Sequence, residues 1–397
     1  MRATKKHLST QATHTWLQVL EACGQTGSRL HLGADAASTR YTYTRLMPYT
    51  KMIFDERDEA VLTQCEIEGH KCEWSTYAPI LPMILVNGCN GIATGYRSQI
   101  PCHNPLELID NLLTKLDGGE FQRFEPWYGP EWRGRVHTNG DWTFDGVAEQ
   151  KGNRVVISDL GVGIATEKYK NSVLSKLLEE KHVLSVVEAH PSENHVRFEL
   201  VVGQSFNMDM LKIDSKMSRK CINLMVSGKI CHFETTMEVL EHYYGWRLAL
   251  YGQRKEVMLR GWGAQLEELT HKRNFIQGVL EERIPLRRAK KDDVIAAAVG
   301  IGIPEALVKD KFCSMTLLSL TSERIAQLDG EIADIKKAVA AMRASSAAKL
   351  WKSDLKKLKP VVHKFVYRAA AAASAAAAGG KKRKSAGGGS KGKKAKR

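Results

Sequence analysis

The longest regular pattern of apolar and polar residues predicts a helix from Thr235 to about Glu282. Apolar side chains recur there at steps of three and four residues, which places them on one face of a helix. Forty-eight residues at about 1.5 Å each give a rod of roughly 70 Å, too long for one globular core. A second stripe over Thr321 to Met342 predicts an antiparallel partner helix, with Thr321 and Ser322 suited to its N-cap.

Shorter patterns over the first part of the chain predict a mixture of helices and strands. Residues 1 to about 22 favour a helix, with Trp16, Leu17 and Leu20 on one face. The apolar run Ile80 to Val86, which ends at an Asn-Gly turn, predicts a buried strand. Further helices are predicted over Pro105 to Leu116 and Glu167 to Leu178, and further strands over Thr143 to Leu160 and Val183 to Val202. These elements predict an α+β fold.

The end of the chain has a different composition and carries most of the net charge. The formal net charge is +15, and the segment from Ala369 holds nine of these charges and no acid, which leaves about +6 on the body. This segment is nearly all Ala, Lys, Gly and Ser, cannot bury a core, and is predicted to be disordered. Its KKRK and KKAKR runs indicate a nuclear address, a DNA-tethering arm or non-specific charge.

The cysteines and the apolar runs limit the classes of site and of protein. The eight Cys are scattered and no CxxC occurs. Cys65, His70 and Cys72 come nearest to a metal cluster, but no second pair follows at zinc spacing, so we predict no metal site. No signal peptide and no membrane-spanning run is present, so we expect a reduced, intracellular, soluble protein without a membrane partner.

The stretch from Gly24 to Met47 carries the strongest candidate chemistry, an arginine followed by a tyrosine. The phenol of Tyr41 has an ordinary pKa near 10, so it needs help to attack a phosphodiester at neutral pH. The guanidinium of Arg40 can stabilise the phenolate and the charge that develops on the phosphate. The alternative is a half-buried tyrosine beside a surface arginine, with no catalytic role for either residue.

This stretch, GQxGxRLHxGxDAASxRY followed by TxLxPxT, resembles the catalytic segment of type IIA DNA topoisomerases in their eukaryotic form. The resemblance implies that Tyr41 attacks DNA and becomes joined to its 5′ end, with Arg40 as the supporting cation and Arg29 at the DNA. The segment departs from the usual family pattern at four positions, Thr26, Leu32, Ala34 and Thr39.

Later motifs resemble the same family in the same order. The block PxxPMxLxNGxxGIxTG matches the family's DNA wedge, which implies that Ile92 inserts between base pairs and bends the duplex. The alternative is a buried core isoleucine. The lysine-rich stretch after Leu211 aligns with a DNA-contacting stretch, which implies DNA-binding roles for Lys212, Ser215 and Lys216. A run of solvated lysines remains an equal alternative.

The resemblance covers about residues 17 to 360 and corresponds to the C-terminal part of the breakage-reunion core. It implies a partial winged-helix segment with the nucleophile over 1–60, a mixed α/β tower with the wedge loop over 61–234, and a coiled-coil arm with a small helical gate over 235–360. The low-complexity Ala/Lys/Gly tail occupies 361–397.

The implied function is double-strand passage by an ATP-dependent type II DNA topoisomerase. We expect double-stranded DNA as substrate, a homodimer through the gate, and a nuclear site or a viral equivalent site of DNA replication. No EGDSA-like, DxDxDG-like or GxxxxGK[ST] stretch is present, so we expect Mg²⁺ and ATP both to be bound by domains not present in this chain.

Three explanations for this expectation stay open. The chain is one component of a split enzyme that works with a second chain carrying the ATPase and metal-binding domains, or it is a fragment of a longer enzyme. The third is a catalytically incomplete copy that acts as a DNA-binding and DNA-bending protein.

Overall fold

The structure is a computed structural model that describes residues 17–28, 30–93, 95–129, 132–191, 195–286, 289–316 and 319–379. These residues form two compact units, each discontinuous along the chain. One unit, here called the sheet unit, holds the residues up to Asp55, Ala78–Gly245 and those from Lys352. The other, the helical unit, holds Glu56–Tyr77 and Trp246–Trp351.

The strands of the described residues are all short. In chain order they are β1 Leu20–Cys23, β2 Tyr43–Leu46, β3 Gln64–Ile67, β4 His70–Trp74, β5 Cys89–Ala93, β6 Tyr96–Ile100, β7 Val136–His137, β8 Trp142–Phe144, β9 Val147–Lys151, β10 Arg154–Asp159, β11 Val183–Glu188, β12 Phe198–Val202, β13 Ser215–Met217, β14 Asn223–Val226 and β15 Lys229–His232.

The helices differ widely in length. They are α1 Thr50–Ile53, α2 Met83–Asn87, α3 Pro105–Leu116, α4 Thr166–Tyr169, α5 Ser175–Glu179, α6 Thr236–Leu280, α7 Lys291–Gly300, α8 Glu305–Leu307, α9 Ser322–Ala344 and α10 Ala347–Gly379. Short 3-10 turns cover Thr39–Tyr41, Glu56–Val61 and Met208–Leu211, and π-helical turns cover Lys170–Leu174 and Val308–Phe312. This mixture of helices and strands confirms the α+β class.

A four-stranded antiparallel sheet in the order β11-β12-β10-β9 supports the sheet unit. On β12, Phe198, Leu200 and Val202 are buried, as the alternation of the sequence predicted, because successive side chains point to opposite faces of a strand. Tyr169 at the end of α4 packs in the same core, and its hydroxyl donates to the Leu211 carbonyl at 2.7 Å. The predicted strands and the predicted helix over this region are therefore confirmed.

Helix α3 also confirms its prediction, with the predicted bounds. The side chain of Asn104 accepts from the Leu106 backbone N–H at 2.9 Å, which satisfies one of the free donors at the helix start. Pro105 occupies the first turn, where a missing N–H costs nothing. Leu108, Ile109 and Leu112 form its buried face.

The predicted strand over Ile80 to Val86 is wrong, although its predicted burial is right. Residues Met83–Asn87 form helix α2, and the N–H groups of Leu85 and Val86 both donate to the Pro82 carbonyl, at 2.8 and 3.1 Å. Most of the side chains along the run are fully buried. A short run that is apolar throughout carries no period, so its pattern cannot separate a strand from a helical turn.

The predicted helix at the start of the chain is wrong where the structure describes it, and residues 1–16, with Trp16, lie outside the described residues. Leu20–Cys23 is strand β1, antiparallel to β2, with Leu20 opposite Leu46 and Cys23 opposite Tyr43. Tyr49, the residue before helix α1, holds this two-stranded β1–β2 ribbon in place, because its Oη donates to the Gln18 carbonyl at 2.5 Å. Pairing with a strand over twenty residues away overrides the local apolar spacing.

Helix α6 confirms the long helix predicted from Thr235, and α9 confirms its predicted partner. The Thr321 side chain caps α9 by accepting from the Arg324 N–H at 3.2 Å. Arg273 of α6 lies 3.0 Å from Asp329 of α9, whereas Lys255, earlier on α6, donates to the Ser345 carbonyl after the end of α9 at 2.6 Å. The later residue of α6 thus contacts the earlier residue of the partner segment, as antiparallel helices require.

The end of the helical unit has its own small core. Phe275 from α6 and Phe312 from the π-helical turn after α8 contact each other, with ring centroids 5.4 Å apart. The buried aliphatic side chains around them come from α7, its flanking loops and the same π-helical turn, and they include Ile284, Val294, Ile295, Ala298, Ile303 and Val308.

The helical unit also buries three charged side chains that the sequence pattern did not single out. Arg247 Nη2 lies 2.5 Å from Asp58 Oδ2, and Arg254 Nη1 lies 3.3 Å from Asp58 Oδ1. Both guanidinium carbons lie over the Tyr251 ring, at 4.3 and 4.4 Å from its centroid, and this ring stacks on Trp351. The seven-residue spacing of the two arginines places them on one face of α6.

The end of the described chain differs from its prediction. Helix α10 runs from Ala347 to Gly379 and passes through 361, where the sequence places the start of the tail, with Val362 and Val366 buried. The alanine run from Ala369, predicted to be disordered, is helical, because alanine has the highest helix propensity. The KKRK and KKAKR runs lie outside the described residues.

Within the described ranges, no helix combines the length and apolar character needed to cross a membrane.

Candidate nucleic-acid interface

The candidate nucleophile lies on a single tight turn. Thr39–Tyr41 form a 3-10 turn in which the Tyr41 N–H donates to the Ser38 carbonyl at 2.8 Å. The Tyr41 side chain is 69% exposed, and the guanidinium carbon of Arg40 lies 5.6 Å from its ring centroid. Tyr41 is therefore exposed, and not half-buried as in the alternative interpretation. The phenol faces solvent, with a guanidinium beside it.

The loop before this turn is held by a carboxylate that the sequence did not single out. The Ser28 N–H donates to Asp35 Oδ1 at 2.9 Å, and the Gln25 side chain donates to the Asp35 carbonyl at 2.9 Å. Partial burial raises the pKa of the Asp35 carboxyl, but hydrogen bonds, chiefly from Ser28, together outweigh burial, so the net pKa is lowered. An ionised Asp35 thus fixes the shape of the loop.

A close approach of two glycines lets the same loop fold back on itself. Gly27 has a φ of +108°, and a Cβ placed there would lie 2.6 Å from the Gly33 Cα. Any other residue at Gly27 would displace the backbone. Contacts with α4 then dock the loop on the sheet unit, because the Leu30 carbonyl accepts from the Thr166 N–H at 2.8 Å and His31 lies 2.7 Å from Glu167.

The strand after the turn carries a second exposed tyrosine. Tyr43 on β2 is 80% exposed, and it lies opposite Cys23. Arg45 on the same strand forms a two-pronged ion pair with Glu21 of β1, which lowers the pKa of the Glu21 carboxyl. Two exposed phenols therefore lie two residues apart. Of these two, Tyr41 is the one for which the described contacts include an arginine over the ring.

The candidate wedge lies on the β5–β6 hairpin. Ile92 pairs with Arg97 across the hairpin, and its side chain is 75% exposed. The alternative of a buried core isoleucine is therefore wrong. An apolar side chain at the exposed end of a hairpin can reach a partner without distorting the core.

Hydrogen bonds along β6 anchor this hairpin. The Gln99 N–H donates to the Cys221 carbonyl at 2.6 Å, and the Asn223 side chain donates to the Arg97 carbonyl at 2.7 Å. Gly88 precedes β5 with a φ of +65°, and a Cβ there would lie 2.7 Å from the Ile100 carbonyl oxygen. The hairpin is thus joined to the segment that follows β13, and Gly88 permits its close approach.

The three residues aligned with a DNA-contacting stretch behave differently from one another. Lys212 is exposed and has a φ of +46°, and Lys216 is exposed on β13 opposite Thr143. The Ser215 hydroxyl instead donates to the Val162 carbonyl at 2.7 Å, so it has a structural partner. The two lysines are available to an anionic ligand, and Ser215 holds the backbone that presents them.

The contacts connect some of the predicted site residues and leave others apart. The Ile92 hairpin is bonded directly to residues that follow Lys216, whereas the loop that leads to Tyr41 is bonded to α4. Arg29 lies outside the described residues. Among the residues that are described, no group of three His, Cys, Asp or Glu side chains is arranged to hold a metal ion.

The long-range supports of the site have little signal in the sequence. Gln99 and Asn223 are ordinary polar residues, and each acts through a partner in a distant segment that only the folded chain brings close. Asp35 instead bonds to Ser28 within its own loop. For Gly27 and Gly88 the signal is the residue type itself, because glycine often marks a close backbone approach.

Comparison with known proteins gives the ancestry of this arrangement. A family model for the A-type subunit of DNA gyrase/topoisomerase IV matches residues 10–356. The chain belongs to the type IIA DNA topoisomerase family. A mitochondrial DNA topoisomerase 2 of Dictyostelium discoideum is 29% identical over 372 residues, which cover 88% of this chain and 28% of the relative.

Other topoisomerases 2 match over similar stretches. That of Penicillium chrysogenum is 27% identical over 85% of this chain and 24% of its own length, and the Caenorhabditis elegans top-2 protein is 31% identical over 75% and 20%. The chain thus spans about a quarter of the length of these curated relatives.

The fold of a solved topoisomerase II is similar as well. The crystal structure of the Plasmodium falciparum topoisomerase II DNA-binding, cleavage and re-ligation domain superposes with a TM-score of 0.81 at 24% identity. The match covers 94% of this chain and 56% of that one. The fold of this topoisomerase-family chain is therefore similar to that of part of the Plasmodium falciparum domain.

Proposed function

We propose that this chain is the DNA breakage-reunion portion of an ATP-dependent type II DNA topoisomerase, with Tyr41 as the nucleophile. The observation that supports the proposal most is the exposed Tyr41 phenol with the Arg40 guanidinium 5.6 Å from its ring. A nucleophile for duplex DNA has to reach the backbone of a large substrate, so an exposed turn suits it better than a closed pocket. The membership of the family supports the same role, and the comparisons do not favour a purely architectural DNA-bending protein.

The proposed chemistry is a reversible transesterification. The Tyr41 phenol oxygen attacks a DNA phosphorus, a new P–O bond forms, and the bond from phosphorus to the 3′ oxygen breaks. The phenol proton goes to solvent, and the leaving 3′ oxygen takes up a proton. Arg40 stabilises the phenolate and the charge on the phosphate. The reverse attack by the 3′ hydroxyl restores the strand, so no phosphodiester is lost, and covalent catalysis divides the reaction into two steps.

Mg²⁺ and ATP enter this proposal from outside the chain. The described residues offer no cluster of metal-holding side chains, so they do not fit a catalytic magnesium site by themselves. We assign both Mg²⁺ and ATP to other parts of the full enzyme, either in a longer protein that includes this stretch or in a second chain. Tyr41 and Arg40 supply the attacking atom and its local charge.

The DNA path in this proposal uses three further surfaces. Ile92 inserts as an apolar wedge that unstacks one base step, because its side chain is exposed on an anchored hairpin. Lys212, Lys216 and Arg29 contact phosphates, which fixes the position of the duplex without reading its sequence. Ser215 supports the lysine strand through its bond to the Val162 carbonyl.

The long helices have a proposed role in assembly. We assign α6 and α9 to an antiparallel coiled-coil arm, and the small core around Phe275 to a helical gate through which two copies form a homodimer. We assign residues 1–60, of which 1–16 and 29 lie outside the described residues, to a partial winged-helix segment. The basic runs after Gly379 direct the protein to the nucleus. None of the relatives named above is viral, and the viral site gains no support from them.

A covalent-trapping experiment tests the nucleophile. Purified full chain is mixed with supercoiled DNA, Mg²⁺ and the metal-binding domain of a topoisomerase 2 relative, and the reaction is stopped with detergent. We expect a 5′-linked adduct that is abolished by Tyr41→Phe and retained by Tyr43→Phe. Tyr43 is the matched control because it is even more exposed and lies only two residues after Tyr41, at the start of β2. Absence of an adduct with the unaltered chain, or its survival in Tyr41→Phe, would overturn the proposal.

A bending experiment tests the wedge separately. We expect Ile92→Ala to retain DNA binding but to lose the DNA bend, measured by energy transfer between dyes at the two ends of a short duplex. Met225→Ala is the control, because Met225 is a similarly exposed apolar residue on the neighbouring β14. An unchanged bend in Ile92→Ala would refute the wedge.

A further inference from the structure

The β3–β4 hairpin of the helical unit brings two cysteines together. Gln64 pairs with Trp74, and Glu66 pairs with Lys71, so the ladder advances by two residues on β3 and by three on β4. Such a bulge leaves one residue of one strand facing two residues of the other. The residue on β3 is Cys65, and the two that it faces are Cys72 and Glu73.

The burial pattern places both thiols on one face of the hairpin. Cys65 and Cys72 are half-buried, whereas the residues that flank them on each strand, Gln64, Glu66, Lys71 and Glu73, are exposed. Glu66 lies opposite Lys71 in the regular part of the ladder, and successive side chains of a strand point to opposite faces, so the adjoining residues Cys65 and Cys72 lie together on the other face. The Cys72 thiol also donates to the His70 carbonyl at 3.5 Å, within its own strand.

Bonds on both sides of the pair hold the two strands in this register. The Gln64 side chain donates to the Cys72 carbonyl at 2.7 Å, and the Ser75 N–H donates to the Thr63 carbonyl at 2.9 Å. At the other end, Glu68 and Gly69 have φ values of 54° and 79°, as a tight two-residue hairpin turn requires. The cysteines are thus opposed in a closed hairpin rather than in a loose loop.

We propose that Cys65 and Cys72 are a dithiol modification site that forms a reversible disulfide with a low-molecular-weight disulfide as oxidant. Opposed residues of antiparallel strands have Cα atoms about 4.5 to 5.5 Å apart, which lies within the roughly 4.4 to 6.8 Å range of disulfides. Both cysteines are free thiols in the structure. The proposal is independent of the proposed function at Tyr41, because the hairpin belongs to the other unit.

The chemistry is two successive thiol–disulfide exchanges. One cysteine loses its proton to solvent and attacks the oxidant, so that an S–S bond forms to the protein and one small thiol leaves. The second cysteine then attacks that mixed disulfide, the Cys65–Cys72 bond forms, and a second small thiol leaves. The protein loses two hydrogen atoms, and one molecule of oxidant becomes two thiols.

The paired strands offer a matched comparison elsewhere in the chain. Cys231 is also half-buried on a hairpin, but it lies opposite Leu224, and Cys89 lies opposite Ile100. Exchange at Cys231 therefore stops at the mixed disulfide.

Mass spectrometry of the full chain tests the proposal. The protein, with Cys89→Ser to simplify one peptide, is incubated with oxidised glutathione, alkylated and cleaved with trypsin. We expect the peptides 58–71 and 72–97 to appear joined, at the summed mass less two hydrogen atoms, and to separate after reduction. Cys231 is expected to carry glutathione in the same sample.

Two variants complete the test. In Cys65→Ser we expect the joined peptides to disappear and Cys72 to carry glutathione, because the second exchange has no partner. Leu224→Cys should create a second cross-strand pair with Cys231 and serves as the positive control. If the unaltered hairpin carries glutathione on both cysteines while the control pair closes, or if Cys72 joins another cysteine, the proposal is wrong.

Discussion

Two tyrosines of the described residues, Tyr41 and Tyr251, contact arginines in opposite surroundings. On the sheet unit, Tyr41 faces solvent on a short turn, and the guanidinium carbon of Arg40 is 5.6 Å from its ring centroid. In the helical unit, Arg247 and Arg254 lie 4.3 and 4.4 Å from the Tyr251 ring, and all three side chains are buried.

The difference shows that the residue pair itself does not determine the role. In the buried contact the guanidiniums are held by Asp58, and the ring packs on Trp351, so both residue types stabilise the fold. In the exposed contact the Tyr41 side chain lies open to solvent, as the proposed nucleophile requires. Loss of the buried cluster should therefore cost stability, and loss of the exposed pair should cost chemistry only.

The largest effect on stability is expected from Asp58→Asn. This change removes the negative charge between two buried guanidiniums, and breaking a buried ion pair costs about 3 to 5 kcal/mol. Urea denaturation measures the free energy of unfolding. The control is Glu59→Gln, because Glu59 is the exposed neighbour in the same 3-10 turn and its loss should change stability by less than about 0.5 kcal/mol. Equal losses of unfolding free energy in the two variants would show that the buried cluster does not stabilise the fold.

A smaller effect is expected from pH, through a buried histidine of the sheet unit. Burial lowers the pKa of His103 to about 4, against a hydrogen bond to the Leu85 carbonyl that raises it. Between the unfolded pKa near 6.5 and this folded value, the unfolded chain binds more protons, so stability falls as pH falls. From pH 7 to pH 5 the expected loss is about 2 kcal/mol.

Urea denaturation at both pH values checks this loss. His103→Gln should flatten the difference between the two pH values, even where it lowers stability at pH 7. His70→Gln, at an exposed position, should leave that difference unchanged. A pH dependence that persists in His103→Gln would assign the effect to other groups. In that case the burial of His103 would not be the cause of the pH dependence of stability.

The smallest effect on stability is expected at the exposed contact itself. Tyr41→Phe and Arg40→Gln should each change the free energy of unfolding by less than about 0.5 kcal/mol, because the contact lies at the surface of the turn. Thermal unfolding of the two variants beside the unaltered chain checks this. A loss similar to that of Asp58→Asn would mean that the turn is a structural element and not a presented reactive group.

The sequence predicts the elements whose signals are local. Helix α3 has an Asn cap, a proline in its first turn and a regular apolar face, and β12 alternates strictly, so both could be predicted. Helix α2 could not, because the apolar run around Leu85 has no period. Strand β1 could not either, since its conformation depends on β2.

The candidate site divides in the same way. Residue identity and order single out Tyr41, Arg40 and Ile92, and the structure adds that the Tyr41 and Ile92 side chains are exposed. The bond of Ser215 to the Val162 carbonyl depends on two segments over fifty residues apart, so no local pattern contains it. The buried arginines of α6 interrupt an apolar stripe, and they become interpretable only with Asp58 beside them.

The most direct measurement is the position of the DNA remnant on the protein. The trapped adduct is digested with nuclease and trypsin, and the peptide of residues 41–45, which contains both Tyr41 and Tyr43, is fragmented in a mass spectrometer. We expect a nucleotide remnant on the Tyr41 phenol oxygen and none on Tyr43. A remnant on Tyr43, or on a peptide outside this turn, would contradict it.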